Sequence, residues 1–190
     1  RWAMPQNDNN EAIGATLADF SCAAGAHLTE ADAPKLAALL HRVRSDVVVA
    51  VNKPKNHYGR QRPFLIDHGA TCIDQTPALA ASADYPSGHT TWSWTVGLIL
   101  AELDPAHATA ILNRARAYGE SRVVCGVHNA SAIEAGRTNG AVVAAALRGD
   151  AAFLAYLEAA RADMTPLVAS GSTAAGACSA EAVSVGKTPW

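Results

Sequence analysis

The sequence lacks several patterns that would assign it to common classes of protein. It contains no C-x-x-C pair, which argues against a zinc knuckle and a thioredoxin-like redox motif. Its 15 Lys and Arg against 17 Asp and Glu form no long basic stretch, so we expect no nucleic acid partner. Its apolar runs are well short of the roughly 20 residues that span a bilayer, so we expect a soluble protein that does not bind membranes. No internal repeat is visible.

The four cysteines indicate an oxidising compartment. Their even number and wide spacing are typical of two disulfides, which persist outside the reducing cytosol. Three pairings are possible, the sequence does not choose between them, and buried free thiols are the alternative. The cysteines are Cys22, Cys72, Cys125 and Cys178. The chain begins at Arg1 without a charged and then apolar leader, and we interpret it as a mature or trimmed product.

The apolar residues predict an all-α fold. Alanine is abundant and apolar positions recur every three or four residues, which favours helices over strands. One such stripe runs from Leu36 to Val51 and ends before Pro54. The predicted helices cover residues 12-22, 33-52, 89-103, 106-120, 129-148 and 150-165. At 190 residues the chain fits a single-domain helical bundle over 1-190, with its core at about 30-165.

Three segments depart from the helical pattern. Residues 59-86 contain Gly, Pro and Asp at short intervals, which predicts an irregular connection that forms a wall of a site. The tail 169-190 is rich in Ser, Gly and Ala and is predicted to be loosely ordered unless Cys178 tethers it. We expect residues 1-10 to form a similar loose arm.

Two short motifs in the first half of the chain contain candidate phosphate ligands. Lys55 is followed seven positions later by Arg62, which a proline holds in an extended segment. From there the planar guanidinium can bind two oxygens of one phosphate. The second motif is Pro-Ser-Gly-His at a helix start, where Ser87 is a capping residue and Gly88 permits close approach of an anion. His89, in the first turn, faces that anion and can donate a proton to a departing alkoxide.

The third motif joins Arg122 to His128 through a segment in which Gly126 indicates a helix end. An arginine there also has a purely structural explanation, since it offsets the negative end of the helix dipole. One turn beyond His128, this chemistry requires a carboxylate that accepts the imidazole proton remote from the substrate. The chain has Ala132 at that position, and Glu134 is displaced around the helix.

Each of these residues alone has an ordinary role, because most lone Lys and Arg are solvated and a Ser-Gly pair is usually only a cap. Together, the motifs make the chain resemble the bacterial class A non-specific acid phosphatases. That family belongs to the superfamily of type 2 phosphatidic acid phosphatases and vanadium haloperoxidases. Its first two motifs, Lys with Arg-Pro after six residues and Pro-Ser-Gly-His, are matched in full. The third, Ser-Arg, five residues, His, three residues, Asp, is matched except at Ala132.

The resemblance spans about residues 30-165 and implies a mechanism. His128 would be the nucleophile that forms a phosphohistidine, and His89 the acid for the leaving alcohol and then the base for water. The groups implied to hold the phosphate oxygens are positive side chains and hydrogen-bond donors: Lys55, Arg62, Ser87, Gly88 and Arg122. The resemblance further implies a helical bundle, no metal or other cofactor, phosphate or vanadate as the bound anion, small phosphomonoester substrates, a homodimer, and a periplasmic or secreted location.

Ala132 leads us to expect impaired activity. Loss of an orienting Asp costs on the order of 10³ to 10⁴ in turnover in other histidine-dependent sites. We interpret Ala132 as a substitution made to trap a bound ester, with a natural variant as the alternative, and expect Ala132→Asp to raise hydrolysis at least roughly tenfold. Other hypotheses are a vanadate-dependent haloperoxidase, a non-catalytic phosphate-binding protein and a purely structural helical protein.

Overall fold

The structure of the chain, a computed structural model, describes residues 3–171, 173 and 175–187. In those residues the regular structure is helical and contains no strand, so the all-α prediction is confirmed. The helices are α1 (Ala3–Asn7), α2 (Ile13–Ser21), α3 (Pro34–Tyr58), α4 (Pro63–Ile66), α5 (Pro77–Ala81), α6 (Gly88–Leu103), α7 (Ala108–Val124), α8 (Ala130–Leu147), α9 (Ala151–Ser170) and α10 (Ala175–Val185), with a 3-10 turn at Pro105–His107.

Helix α6 lies at the centre of the bundle and packs against both α7 and α8. Its apolar side chains, including Trp92, are buried in the main core cluster. Small residues allow the close approach: a Cβ built at Gly97 would lie 2.6 Å from the Cβ of Ala115 on α7. On the other side, a Cβ at Gly140 of α8 would lie 2.8 Å from the carbonyl oxygen of Thr91. This tight packing fixes the N-terminal end of α6 against the end of α7 and the start of α8.

Helix α3 is longer than its sequence predicts. A proline usually ends a helix because it has no amide hydrogen, and the predicted end lay before Pro54. The helix instead continues to Tyr58 and ends at Gly59 in the left-handed conformation, with φ of 52°. The extra turn carries Lys55 into a buried position.

Both disulfides connect segments that are distant in sequence, so the expectation of two bridges is met. Cys22 pairs with Cys178, and Cys72 pairs with Cys125. The first bridge tethers the tail through Cys178, the condition under which the tail was not expected to be loosely ordered, and the tail contains α10. The second joins the 59-86 connection, which contains the short helices α4 and α5, to the end of α7.

The N-terminal arm also has defined contacts. Asp8 is fully buried, and its Oδ1 lies 2.6 Å from Nη2 of Arg114 on α7. The carbonyl of Pro5 accepts a hydrogen bond from Arg122. Residues 1, 2, 172, 174 and 188–190 of the two predicted arms lie outside the described residues.

The described helices were compared with the length and hydropathy needed to cross a bilayer. None of them meets both criteria alone. The α8 and α9 pair meets them together but is bent by 98°.

Candidate active site

Residues of all three motifs meet at one cavity of about 840 Å³. Its lining includes Lys55, Arg62, Gly88, His89 and His128. The rest of the wall comes from the N-terminal arm and from the 59-86 connection. The side chains of Ser87 and Arg122 do not line the cavity. The structure therefore brings together five of the seven predicted site residues and places the other two behind the wall.

The cations of the first motif come from two different elements. Lys55 lies in the last turn of α3, and its Nζ donates to the carbonyl of Ala83. Burial, together with the neighbouring positive charge of Arg62, lowers the pKa of Lys55 to about 8. The ammonium group therefore remains protonated at neutral and acidic pH.

Arg62 precedes α4 in an extended conformation, with ψ of 151°, in agreement with the restriction that the following proline imposes. Its Nε donates to the Ser82 carbonyl at 2.7 Å and its Nη1 to the Val127 carbonyl at 2.8 Å. The same Nη1 lies 3.3 Å from Nε2 of His128. Burial lowers the pKa of Arg62 to about 10, although Asp84 acts in the opposite direction.

The second motif starts α6. Ser87 is its N-cap, and the Ser87 Oγ accepts a hydrogen bond from the Thr90 amide at 3.3 Å. Gly88 lines the cavity, and a Cβ at this position would meet only Val51 at 3.5 Å, an ordinary contact. Packing against the protein therefore does not require glycine at position 88.

His89 is partly exposed to the cavity and has loose partners. Its Nε2 lies 3.4 Å from the carbonyl oxygen of Asn9, and its Nδ1 lies 3.9 Å from Oε1 of Glu11. Burial lowers the pKa of His89 to about 4, and the negative charge of Glu11 opposes that shift. Glu11 is itself held by Arg44, at 2.8 Å from Oε2 to Nη2.

Arg122 lies in the last turn of α7 and is fully buried. Its Nη1 donates to Oδ1 of Asn9 at 3.3 Å, and Asn9 in turn lines the cavity. A single side chain thus separates this guanidinium from the cavity.

His128 follows a turn that requires glycine. Gly126 has a φ of 77°, and a Cβ there would lie 2.5 Å from the carbonyl oxygen of Ala70. The turn, which lies between α7 and α8, places the buried imidazole at the wall of the cavity. The Nδ1 of His128 lies 2.7 Å from Oδ1 of Asp84, a fully buried carboxylate that lies 44 positions earlier in the chain.

These contacts determine the tautomer of His128. A guanidinium can only donate, and an ionised carboxylate can only accept. Burial acts to raise the pKa of Asp84, but hydrogen bonds from His128 and Asn129 outweigh it, so the pKa is lowered and the carboxylate is ionised. Nδ1 therefore carries the hydrogen, and Nε2 presents its lone pair towards Arg62 and the cavity. Burial lowers the pKa of His128 to about 3, although the hydrogen bond to Asp84 opposes the shift.

The expectation that His128 lacks a carboxylate partner is therefore wrong. Ala132 is fully buried and its carbonyl accepts from the Ser87 amide at 3.0 Å, while Glu134 pairs with Arg137 on the surface. Asp84 provides the carboxylate from the connection before α6. The interpretation of Ala132 as a substitution made to trap a bound ester is a separate matter and stays a prediction.

Sequence reasoning missed Asp84 because it treated this residue as one of several turn-forming residues of the 59-86 connection. The available signal was its position, five residues before His89 and directly beside the second motif. Asn9 and Glu11 were missed for another reason. They lie in or next to an arm that was predicted to be loosely ordered, and no motif includes them.

Comparison with known proteins agrees with this fold. Residues 36–157 match the family model described as the PAP2 superfamily. The chain belongs to the PAP2 superfamily, as its motifs indicated.

Several relatives within the superfamily are named acid phosphatases. An acid phosphatase of Zymomonas mobilis subsp. mobilis is 40% identical over 165 residues, which cover 86% of this chain and 62% of that protein. A non-specific acid phosphatase of Providencia stuartii is 35% identical over 169 residues, covering 88% and 68% respectively. A non-specific acid phosphatase of Salmonella typhi is 32% identical over 155 residues, covering 80% and 62%. The chain thus spans about two thirds of the length of these relatives.

Proposed function

We propose that this chain is a single acid phosphatase domain that hydrolyses small phosphomonoesters through a phosphohistidine at His128. The main support is the arrangement of that imidazole, whose Nδ1 is held by a carboxylate while Nε2 points to a cavity lined by Lys55 and Arg62. The names of the relatives support the same reaction.

In the first step, the Nε2 lone pair attacks phosphorus as the bond from phosphorus to the ester oxygen breaks. The departing alkoxide takes a proton from His89. Lys55 and Arg62 hold the oxygens on which negative charge is spread in the transition state. Arg122 would join them if a phosphate oxygen replaced Asn9 as the acceptor of its Nη1.

Close approach by the anion also explains the glycine of the second motif. An oxygen can reach the amide of Gly88 at the start of α6, where the helix dipole is positive. The Ser87 hydroxyl caps the helix and does not line the cavity. Its proposed role is to support the phosphate contact that the Gly88 amide makes.

In the second step, water attacks the phosphohistidine. The bond from phosphorus to Nε2 breaks, and its electron pair returns to the ring nitrogen. His89, neutral after the first step, accepts the proton of the attacking water. Phosphate then leaves and restores the starting tautomer of His128.

The two lowered pKa values suit a reaction at acidic pH. His128, with its pKa lowered to about 3, keeps a free lone pair in mildly acidic solution. His89, with its pKa lowered to about 4, gains its proton as the pH falls. We therefore expect kcat/KM to rise as the pH is lowered from neutrality towards about 4.

The test is hydrolysis of an aryl phosphate by the purified chain and by His128→Ala, with EDTA present to check that no metal is needed. The variant should lose turnover by at least about 10⁴, and only the parent should show a base-stable, acid-labile phosphoryl label. His41→Ala, whose side chain is 63% exposed, is the matched control. Undiminished activity of His128→Ala would contradict the proposal. Halide oxidation by peroxide and vanadate without ester hydrolysis would favour the haloperoxidase alternative.

The location and assembly of the protein are part of the same proposal. Two disulfides support a periplasmic or secreted location. The homodimer follows from the family resemblance alone, and light scattering of the purified chain tests it directly.

A further inference from the structure

Asp84 is a carboxylate that none of the three motifs includes, yet it is fully buried beside the proposed nucleophile. It lies in the connection before α6, and its backbone amide donates to the carbonyl of Arg60 at 2.8 Å. Burying a carboxylate costs several kcal/mol unless its oxygens are paired and hydrogen-bonded. Each of its two oxygens should therefore have identifiable partners.

The two oxygens of Asp84 have different partners. Oδ2 accepts from Nε of Arg60 at 2.8 Å and from Nδ2 of Asn129 at 2.9 Å. Oδ1 accepts from Nδ1 of His128 at 2.7 Å and from the Asn129 amide at 3.2 Å. Oδ2 thus anchors the carboxylate, and Oδ1 is free to orient the imidazole.

A purely structural ion pair would need only the Oδ2 contacts. Arg60 supplies charge and Asn129 a second donor, and both would remain if the imidazole were absent. The Oδ1 contact instead fixes one ring nitrogen of His128 as the donor, and so leaves Nε2 as the nucleophile. When Nε2 forms its bond to phosphorus, the ring becomes positively charged, and the adjacent carboxylate stabilises that charge.

The position that usually carries the carboxylate in this family lies close to the same place. The Ala132 carbonyl accepts from the amide of Ser87, only three residues after Asp84. Ala132 and Asp84 therefore belong to segments that touch each other next to His128. Asp84 contacts the imidazole from one of these segments, and position 132, four residues after His128, lies on the other.

We infer that Asp84 is the positioning residue of His128 and has taken over the task that the family motif assigns to position 132. The inference rests on the proposed function, because it needs His128 to be the nucleophile. It also changes the expected effect of Ala132→Asp. With Asp84 in place, a second buried carboxylate adds repulsion without a new function, so no gain in turnover is expected.

The experiment exchanges the two positions. Asp84→Asn and Asp84→Ala should each lower kcat roughly 10³- to 10⁴-fold, as in a protease triad without its Asp, with KM changed less than about threefold. Ala132→Asp alone should give no increase. In the Asp84→Ala background, the same Ala132→Asp substitution should restore kcat at least roughly tenfold. Restoration in this background alone is a result that a merely structural role for Asp84 would not produce.

A second Asp and His pair, in which the carboxylate is buried and the imidazole is partly exposed, provides the control. Oδ2 of Asp104 lies 2.8 Å from Nδ1 of His107, after the far end of α6 and away from the cavity. Asp104→Asn breaks a contact of the same kind and should leave kcat unchanged. Thermal unfolding of each variant shows whether it is folded, and Asp84→Asn, which has the same shape, serves if Asp84→Ala does not fold.

A spectroscopic measurement separates orientation from stability. A low-field proton NMR signal from the Nδ1 hydrogen of His128 should be present in the parent and lost in Asp84→Asn. Asp84→Asn with nearly full kcat, while His128→Ala is inactive, would overturn the inference and leave the proposed function intact. A parent without phosphatase activity, or an active His128→Ala, would overturn the proposed function instead. Asp84→Asn impaired without restoration in the exchanged variant would also overturn the inference that position 132 is equivalent.

Discussion

His128 and His89 lie in the same cavity, but their ring nitrogens have different kinds of partner. His128 donates over 2.7 Å to a carboxylate that has no exposure to solvent. His89 has a carbonyl oxygen at 3.4 Å and a partly exposed carboxylate at 3.9 Å. A nucleophile must present one nitrogen in one tautomer throughout, whereas a proton donor must release and regain its proton. The difference in packing matches the roles proposed for His128 and His89.

The largest expected effect separates the two histidines by leaving group. His89→Ala should lower kcat about 10²- to 10³-fold on an alkyl phosphate, whose alkoxide needs the proton, and much less on a nitrophenyl phosphate. His128→Ala should abolish turnover of both. Parallel rate measurements on the two esters provide the check. An equal loss on both esters in His89→Ala would mean that this residue is not the proton donor.

The second prediction concerns stability at acidic pH. The unfolded imidazole has a pKa of about 6.5, whereas burial lowers that of His128 to about 3. Below about pH 6.5 the unfolded chain therefore binds a proton at His128 that the folded chain does not bind. The contribution of the neutral imidazole to stability is present above about pH 6.5 and is lost as the pH falls. The loss is up to about 1.4 kcal/mol per pH unit.

Urea unfolding of the parent and of His128→Gln between pH 7 and pH 5 measures this contribution. As the pH falls, the free energy of unfolding should decrease less steeply in the variant than in the parent. The two slopes should differ by up to about 1.4 kcal/mol per pH unit. His41→Ala, with its exposed side chain, should keep the slope of the parent. An identical slope in His128→Gln would show that the imidazole does not resist protonation in the folded chain.

The smallest expected effect tests the loose partner of His89. The charge of Glu11 raises the pKa of this histidine, so Glu11→Gln should lower it further. Less of His89 is then protonated at a given pH, and the decrease of kcat/KM with rising pH should move to lower pH by about 0.5 unit, a roughly threefold effect. Glu134→Gln, on the exposed face of α8, is the control. A shift to higher pH would contradict the assigned sign.

The sequence predicts the parts of this molecule that depend on local pattern. The stripe from Leu36 to Val51 predicted α3 because helical periodicity is a property of neighbouring residues. The predicted end of α3 was wrong because it relied on Pro54, which is a local signal. The packing that buries Lys55 depends instead on residues that are distant in sequence. The all-α fold and the motifs that line the cavity could thus be found without coordinates.

The features that the sequence did not predict all depend on contacts between residues that are far apart in the chain. Asp84 reaches His128 from 44 positions away, and no spacing rule connects them. The pairing of Cys72 with Cys125 depends likewise on how the 59-86 connection folds back on α7. Asn9 and Glu11 line the cavity because the buried Asp8 and Arg114 pair holds the arm against α7. Such contacts require the tertiary structure.

The contact between Asp84 and His128 has a consequence for how members of this superfamily are recognised in genomes. A survey that demands an aspartate four positions after the histidine of the third motif would class this chain as an inactive homologue. One that asks whether any acidic residue approaches the ring in space would retain it. Chains with a small residue at the usual place and an aspartate just ahead of the Pro-Ser-Gly-His segment form a group worth assaying together.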